Sequence, residues 1–221
     1  MSLRPYQQDA HDAAVDWIGK SLQPCCIEGA TGCGKSHIIA AIANTVHQRS
    51  GGKHILVLQP RRELVIQNRQ KYLVTGNPAS VYSASAGSKC LKHPVVFGTP
   101  VSVGNSIDKF GDRFCLVVID ECHGLTPTII SVVDQMRARN PKLRVIGLTA
   151  TPYRTKSGYI YQCGVDGAPV SPEETDNPYF ARLVYSIEAR TLIAQGFLVP
   201  LFVIGLIGAI AVIVLVAVLV G

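Results

Sequence analysis

The sequence lacks the cysteine and histidine patterns of zinc-binding and disulfide-rich domains. It contains seven cysteines but no C-x-x-C pair, and no histidine lies at zinc-finger spacing from them. An odd number of cysteines without such pairs is typical of a reducing compartment. The first ten residues also lack the apolar core of a secretory signal, which predicts a cytoplasmic location for the polar part of the chain.

The chain has no internal repeat of 20–50 residues, which excludes a repeat protein, and 221 residues are enough for one large or two small domains. Acidic residues are the scarcer charge, with 15 Asp and Glu against 21 Lys and Arg and a net charge of +6. This basic excess fits a protein that binds polyanions. Charge alone does not distinguish nucleic acid from other anionic partners.

The C-terminal end, residues 201–221, has no charged or hydrogen-bonding side chain. As a helix, these 21 residues would span about 31 Å, close to the roughly 30 Å hydrocarbon core of a bilayer. We therefore predict a domain over residues 1–200 and a C-terminal apolar helix over residues 201–221 that anchors it in a membrane. Two alternatives are a core helix and the end of a truncated or frame-altered reading frame. Basic residues precede the segment and none follow it, which places residues 1–200 in the cytoplasm.

Short runs rich in Val, Ile and Leu alternate with amphipathic stretches. This alternation predicts an α/β fold in which a parallel sheet is covered by helices on both faces. The predicted strands are Pro24–Glu28, His54–Gln59, Val81–Ser83, Val95–Gly98, Cys115–Asp120 and Arg144–Thr149. The predicted helices are Tyr6–Lys20, Lys35–Arg49, Glu63–Leu73, Val101–Ile107 and Thr128–Ala138.

The region after residue 150 combines an irregular segment with a helical pattern. Tyr153–Asn177 contains glycines and prolines without a period, which predicts a long irregular surface segment. Ala181–Gln195 has a helical pattern and is followed by Gly196, a residue that suits a helix C-terminus.

The segment Gly29–Ser36 reads GATGCGKS and fits the pattern G-x-x-x-x-G-K-S between a predicted strand and a predicted helix. Glycines let the backbone pass close to a phosphate, and the helix N-terminus adds positive potential. Lys35 would reach the β- and γ-phosphates of ATP, and the Ser36 hydroxyl would ligate Mg²⁺. The other loop residues predicted to hold the nucleotide are Gly29, Thr31, Gly32, Cys33 and Gly34. The alternative is a glycine-rich turn that contains Lys-Ser by coincidence.

A second motif is the segment CLVVIDECH at residues 115–123. It is a predicted buried strand that ends in two adjacent acidic residues. Ligands of open parallel sheets bind at the carboxyl ends of the strands. Asp120 would hold Mg²⁺ through water, while Glu121 would orient and deprotonate the attacking water. Taken alone, such a pair also fits the preference of acidic residues for a helix N-terminus.

These motifs, with three further segments, resemble in order and spacing the first RecA-like domain of superfamily 2 DEAD/DEAH-box helicases. The further segments are Gln59–Leu64 (QPRREL), Gly98–Pro100 (GTP) and Leu148–Pro152 (LTATP). Residues 3–7, 149–154 and 193–198 resemble most the bacterial RadD group of DNA-repair ATPases. The resemblance covers residues 3 to about 200 and implies a RecA-like fold that uses ATP and Mg²⁺.

The resemblance also implies roles for individual residues. Gln7, with Arg4 nearby, would recognise the adenine edge, since an amide can both donate and accept. The residues expected to contact nucleic-acid phosphates are Arg61, Arg62, Gly98 and Thr99. Thr149 and Thr151 would couple the phosphate site to domain movement, and His123 would join that network.

Each of these roles has a simpler alternative. Gln7, Arg61 and Arg62 fit the solvated start of a helix, and His123 fits a packed core position. Tyr153 and Arg154 could stack on a base or anchor a loop.

The sequence thus favours a helicase-type ATPase that binds Mg-ATP and nucleic acid, with DNA preferred over RNA. Its predicted catalytic residues are Lys35, Asp120, Glu121 and His123. Relatives close a second RecA-like domain over ATP, and no such domain is recognisable after Pro200. A second domain or a DNA-repair protein would therefore have to act in trans. The alternatives are a catalytically weak ATP- and nucleic-acid-binding module, and a membrane-anchored P-loop ATPase with another substrate.

Overall fold

The computed structural model describes residues 2–155 and 157–199, so the predicted apolar helix at residues 201–221 lies outside the described part. Its helices are α1 (Pro5–Lys20), α2 (Lys35–Arg49), α3 (Arg62–Leu73), α4 (Pro100–Gly104), α5 (Pro127–Arg139) and α6 (Ala189–Ala194). Its strands are β1 (Cys25–Gly29), β2 (His54–Leu58), β3 (Ala79–Ser83), β4 (Ser88–Lys89), β5 (Val95–Gly98), β6 (Phe114–Asp120), β7 (Arg144–Thr149), β8 (Tyr153–Arg154), β9 (Gly158–Tyr159), β10 (Tyr161–Cys163) and β11 (Phe180–Ile187).

The main sheet of the described residues has nine strands in the order β10-β11-β1-β7-β6-β2-β5-β3-β4. Its neighbouring strands are parallel, except that β4 runs antiparallel to β3. Parallel neighbours require crossover connections, and α5 supplies the one between β6 and β7. The predicted α/β class with a largely parallel sheet is confirmed.

Two apolar layers cover this sheet, one on each face. Helices α1, α2 and α3 pack on one face through residues such as Ala14, Ile39 and Val65. Helices α4 and α5 pack on the other face through residues such as Val103 and Val133. Because both faces are covered, the central strands are continuous apolar runs, and this is why a simple search for such runs finds them.

The prediction of a helix over Ala181–Gln195 is wrong for most of its length. Residues 180–187 form β11, which pairs in parallel with β1, and only Ala189–Ala194 are helical. Phe180, Leu183, Val184 and Ile187 are apolar at helical spacing, which explains the error. In the structure Leu183 packs on one face of the sheet and Val184 on the other, with an irregularity in the pairing between β1 and β11. Pairing along the edge of β1 therefore overrides the local pattern.

The segment 153–177 is only partly the irregular excursion that the sequence predicts. Strands β8 and β9 form a small antiparallel ribbon, and β10 joins the edge of the main sheet. Gly158 has φ +71°, and a Cβ there would lie 1.8 Å from the carbonyl oxygen of Glu174. A glycine is required at this close approach because a side chain would collide with backbone.

Within residues 2–155 and 157–199, no helix combines the length and the apolar character needed to cross a bilayer.

Gly147 in β7 packs closely against the side chains of Phe180 and Cys122. A Cβ at this position would lie 2.5 Å from Cζ of Phe180 and 2.6 Å from Sγ of Cys122. Gly147→Ala should therefore destabilise the protein by roughly 1–3 kcal/mol through overpacking. The measurement is urea unfolding followed by circular dichroism. Gly111→Ala is the control because a Cβ added there would meet nothing within 4 Å. Equal stability of the two variants would contradict this packing.

Candidate nucleotide-binding and catalytic site

The candidate site lies at one edge of the sheet, where parallel strands end. Strand β1 ends at Gly29, β6 at Asp120 and β7 at Thr149. Since β7 pairs with both β1 and β6, the three ends are adjacent. The fold thus brings the phosphate-loop motif and the acidic motif to one crevice.

The loop between β1 and α2 depends on glycine at two positions. Gly32 and Gly34 have φ of +86° and +85°, a left-handed conformation that other residues adopt at a cost. A Cβ on Gly34 would lie 2.5 Å from Nε2 of Gln7. The glycines therefore serve both the turn of the loop and the close approach of α1.

Helix α1 fixes this loop through two hydrogen bonds to one carbonyl group. The Tyr6 hydroxyl donates to the backbone oxygen of Cys33 at 2.9 Å, and Nε2 of Gln7 donates to the same oxygen at 2.8 Å. The Gln7 Oε1 atom accepts the backbone N–H of Arg4 at 3.0 Å. One amide hydrogen and one lone pair of Gln7 remain for a ligand. The adenine contact of Gln7 stays a prediction, while its contact with the loop is observed.

The residue Cys33 contributes to the loop through its backbone. Its side chain is fully buried in an apolar cluster with Ile187 and Leu192. Burial raises the pKa of the Cys33 thiol, so that the thiol stays protonated at neutral pH. Gly32 lies against the chain's later part, since a Cβ there would lie 3.0 Å from Cδ2 of Leu198.

Lys35 is the first residue of α2, and its side chain points back into the loop. Its Nζ donates to the backbone oxygen of Gly29 at 3.3 Å and lies 3.7 Å from Oε1 of Glu121. The lysine side chain is only 12% exposed, so these partners compensate a largely buried charge. The next residue, Ser36, is partly buried in the first turn of the same helix.

Asp120 is 6% exposed at the end of β6 and is held by two donors. Its Oδ1 accepts the backbone N–H of Glu121 at 3.0 Å, and its Oδ2 accepts a hydrogen bond from Nδ2 of Asn68 at 2.9 Å. Burial raises the pKa of the Asp120 carboxyl above its usual value, and the negative charge of Glu121 raises it further. A cation bound beside the two carboxylates would lower it again.

Glu121 has φ 51°, the left-handed conformation that is uncommon outside glycine. Such a backbone costs about 1–3 kcal/mol and persists where the surroundings enforce it. The bend turns the Glu121 side chain out of the strand toward Lys35 and His123, whose Nδ1 lies 3.4 Å from Oε2 of Glu121. The carboxylate is thereby placed in the crevice, where its side chain is 33% exposed.

The predicted coupling residues form one hydrogen-bonded network. Nδ1 of His123 and Oγ1 of Thr149 are 2.8 Å apart, and Oγ1 of Thr149 accepts the backbone N–H of Thr151 at 3.1 Å. Nε of Arg154 donates to the backbone oxygen of His123 at 2.7 Å. Of the two open interpretations of Arg154, the structure favours the loop anchor.

The residues predicted to contact nucleic acid lie at the ends of the next two strands. Arg61 and Arg62 are exposed at the start of α3, just after β2. Thr99 precedes α4, and its hydroxyl is 3.0 Å from that of Ser102. Gly98 is buried, and a Cβ there would lie 3.0 Å from the backbone oxygen of Tyr82, so its glycine is needed for packing.

Several residues of this region do not stand out in the sequence. Asn68 lies outside every motif segment, and Tyr6 and Gln59 lie within such segments without a role assigned to them. Asn68 and Tyr6 nevertheless bond to site residues. Gln59 is fully buried, and neither atom of its side-chain amide has a hydrogen-bond partner. Only the tertiary structure places them beside the crevice.

The donor chemistry of the crevice fits Mg²⁺. The Ser36 hydroxyl and the Asp120 carboxylate, the latter through a bound water, would offer the oxygen donors that this ion prefers, while waters and substrate phosphates would complete its shell. In the described part of the chain, no group of three or more His, Cys, Asp or Glu forms a separate metal cluster.

Comparison with proteins of known sequence identifies the family. A family model described as "Type III restriction enzyme, res subunit" matches residues 1–154. "Putative mitochondrial ATP-dependent helicase irc3" of Schizosaccharomyces pombe is 27% identical over 174 residues, covering 75% of this chain and 28% of that protein. "ATP-dependent DNA helicase mph1" of Aspergillus niger is 31% identical over 159 residues, covering 65% of this chain and 14% of the relative. The chain therefore spans less than a third of the length of these relatives.

Solved structures agree on the fold. The UvsW helicase from Bacteriophage T4 superposes with a TM-score of 0.59 at 20% identity, covering 84% of this chain and 60% of that chain. The Type ISP restriction-modification enzyme LlaGI, in complex with a DNA substrate mimic, superposes with a TM-score of 0.62 at 16% identity, covering 89% and 21%. The likeness to the RadD group stays a prediction. The chain belongs to the family of the type III restriction enzyme res subunit, and its described part has the RecA-like fold of the N-terminal domain of superfamily 2 helicases.

Proposed function

We propose that this chain binds Mg-ATP at the loop Gly29–Ser36, hydrolyses it, and binds nucleic acid along the same edge of the sheet. The observation that carries the proposal is the meeting of two distant segments, in which Nζ of Lys35 lies 3.7 Å from Oε1 of Glu121. A lysine that opens a helix after a glycine loop faces the carboxylate that could activate water. That arrangement suits the transfer of a phosphoryl group to water.

Each residue of the crevice has a part in this chemistry. The backbone amides of the loop and Lys35 would hold the phosphates, and Ser36 and Asp120 would hold Mg²⁺, which neutralises charge on the phosphates when bound. Glu121 would orient the attacking water and accept its proton, since its carboxylate is open to the crevice. His123 would support Glu121 from the other side.

The network of His123, Thr149 and Thr151 supports a coupling role. It joins the segment that carries Glu121 to the segment after β7, and Arg154 ties the two backbones together. A shift of Glu121 on hydrolysis would therefore move residues beyond the crevice. Such a change reaches a distant site only where an element has two alternative arrangements.

DNA is the favoured nucleic acid. The chain carries a net charge of +6, and the exposed Arg61 and Arg62 lie at the edge of the sheet that also holds the crevice. The relatives from Aspergillus are named as DNA helicases. Contacts through arginines, hydroxyls and backbone amides would address phosphates and would not depend on base sequence.

Strong turnover would need arginines from a second RecA-like domain. In phosphoryl transfer such arginines stabilise charge on the γ-phosphate and contribute about 10³–10⁵ in rate. The described residues contain one RecA-like sheet, so a second domain or a partner in trans would complete the site. We propose slow hydrolysis and no duplex unwinding by the described residues alone.

The first prediction concerns the phosphate contact of Lys35. Lys35→Ala should weaken ATP binding by roughly tenfold to a hundredfold, because a charge-assisted contact of about 1.5–3 kcal/mol is lost. Isothermal titration calorimetry measures the affinity. Lys20→Ala is the matched control, since Lys20 is 74% exposed and pairs with Asp16 away from the loop. Equal ATP affinity of the unaltered protein and Lys35→Ala would refute the site.

The second prediction concerns hydrolysis. Glu121→Gln should keep ATP binding and reduce phosphate release by about 10²–10⁴, because the amide cannot accept a proton. Single-turnover release is measured with and without single-stranded DNA, and DNA should stimulate the unaltered protein. Glu173→Gln, at an exposed position in the segment before β11, is the control. An unchanged rate in Glu121→Gln would assign water activation to another residue.

The third prediction concerns nucleic acid. Replacing Arg61 and Arg62 together by Ala should make binding to single-stranded DNA less dependent on salt, with a slope smaller by about 1.4, or about 0.7 for each lost phosphate contact. Fluorescence anisotropy at several salt concentrations gives the slope. The control replaces Arg49 and Arg113, which lie at the opposite edge of the sheet. If the control pair changes the slope and Arg61 and Arg62 do not, the binding surface lies at that other edge.

A further inference from the structure

The buried side-chain amide of Asn68 in α3 contacts the Asp120 carboxylate, which is proposed to hold the metal. Nδ2 of Asn68 donates to Oδ2 of Asp120 at 2.9 Å, across a sequence separation of 52 residues. Asn68 is fully buried, and Asp120 is 6% exposed. The contact is therefore shielded from water. A hydrogen bond to a charged group is stronger in such a buried environment than in solvent.

The two donors of Asp120 together fix the plane of its carboxylate. The Glu121 backbone N–H binds Oδ1 and Asn68 binds Oδ2, so rotation about the last side-chain bond is blocked from both sides. That torsion is otherwise broad for aspartate. The backbone donor is present with almost any residue at position 121. Asn68 is thus the donor whose identity the sequence specifies.

The position of Asn68 on its helix argues against a purely structural role. Val65 and Tyr72 lie one turn on either side of it and face the apolar layer between α3 and the sheet. An apolar residue would fill the same stripe without burying polar atoms. Instead, Oδ1 of Asn68 is buried without a hydrogen-bond partner, which costs stability. Packing alone would therefore favour leucine over asparagine at position 68.

The orientation of the amide follows from its partner. An ionised carboxylate only accepts hydrogen bonds, so the NH₂ group of Asn68 must face Asp120 and Oδ1 must face away. Gln59, which follows β2 on the sheet face of Ile55 and Val57, also has a buried amide without a partner. The face of the sheet that lies beneath α3 therefore holds polar groups that packing does not explain.

We propose that Asn68 is a positioning residue that holds the Asp120 carboxylate in the orientation required to bind Mg²⁺ with ATP. The inference rests on the proposed nucleotide site and deepens it. Asn68 touches neither nucleotide nor metal and acts through Asp120. Residues that orient a metal ligand in this way typically affect metal affinity by about 10–100-fold when replaced.

The experiment measures metal dependence separately from nucleotide binding. Binding of a fluorescent ATP analogue is titrated in EDTA and then as a function of added MgCl₂. Asn68→Ala should bind the analogue normally in EDTA and require about 10–100-fold more Mg²⁺ for half of the metal-dependent signal. Asn68→Leu should behave in the same way. Leucine has the same number of side-chain heavy atoms and the same branching as asparagine, so a cavity cannot explain the result.

Asn77→Ala is the matched control. It also removes a side-chain amide hydrogen bond, from Nδ2 of Asn77 to Oδ1 of Asn44 at 2.8 Å, which ties the chain after α3 to α2 without touching Asp120. This variant should keep the Mg²⁺ dependence of the unaltered protein. Asn68→Ala should also add no further loss in an Asp120→Ala background, because the two residues act as one unit.

The outcomes separate the two proposals. Binding in EDTA with an unchanged Mg²⁺ requirement in both Asn68 variants would overturn the positioning role and leave the nucleotide site intact. Equal losses with and without Mg²⁺ would mean that Asn68 only supports the fold, which also overturns it. Failure of the unaltered protein to bind the analogue would overturn the nucleotide site, and the positioning role with it.

Discussion

The register of three parallel strands is the constraint on which the site depends. Glu28 of β1 lies beside Thr149 of β7, and Asp120 of β6 lies beside Leu148. Side chains alternate between the faces of a strand, so a shift by one residue would send Asp120 to the face of α5 and away from Asn68. Apolar side chains packed on both faces prevent that shift. The geometry of the candidate site is therefore a consequence of core packing several residues below the crevice.

Much of the fold follows from the sequence because its strands are short apolar runs between turn residues. The patterns predict Val95–Gly98, Arg144–Thr149 and the helix Lys35–Arg49 with the observed bounds. The mistaken helix at residues 181–195 shows the limit of such patterns. Its apolar spacing fits a helix, and only the open edge of β1, which no local sequence reveals, makes strand β11 the better structure.

The residues of the candidate site also differ in how far the sequence predicts them. That Lys35, Asp120 and Glu121 lie close together could be predicted, because each belongs to a segment that follows a strand and parallel strands end at one edge of a sheet. Their chemical roles stay predictions. The contacts of Asn68 and Tyr6 could not be predicted, because each contributes a single hydrogen bond whose partner is distant in sequence. A lone polar residue in an apolar helix stripe was the one available signal for Asn68. The supporting residues of a crevice are thus less visible in sequence than those that touch its ligand.

The position of β1 between β7 and β11 has a consequence for how the domain folds. Cys25 pairs with Ile146 on one side and with Arg182 on the other, so both neighbours of this strand come from much later in the chain. Such pairings carry a high loop-closure cost and form slowly. During synthesis from the N-terminus, the strand that precedes the phosphate loop is made early and stays without its neighbours until β7 and β11 have emerged. We therefore expect the glycine loop to acquire its final shape only after β7 and β11 have been made, although the loop is translated before them.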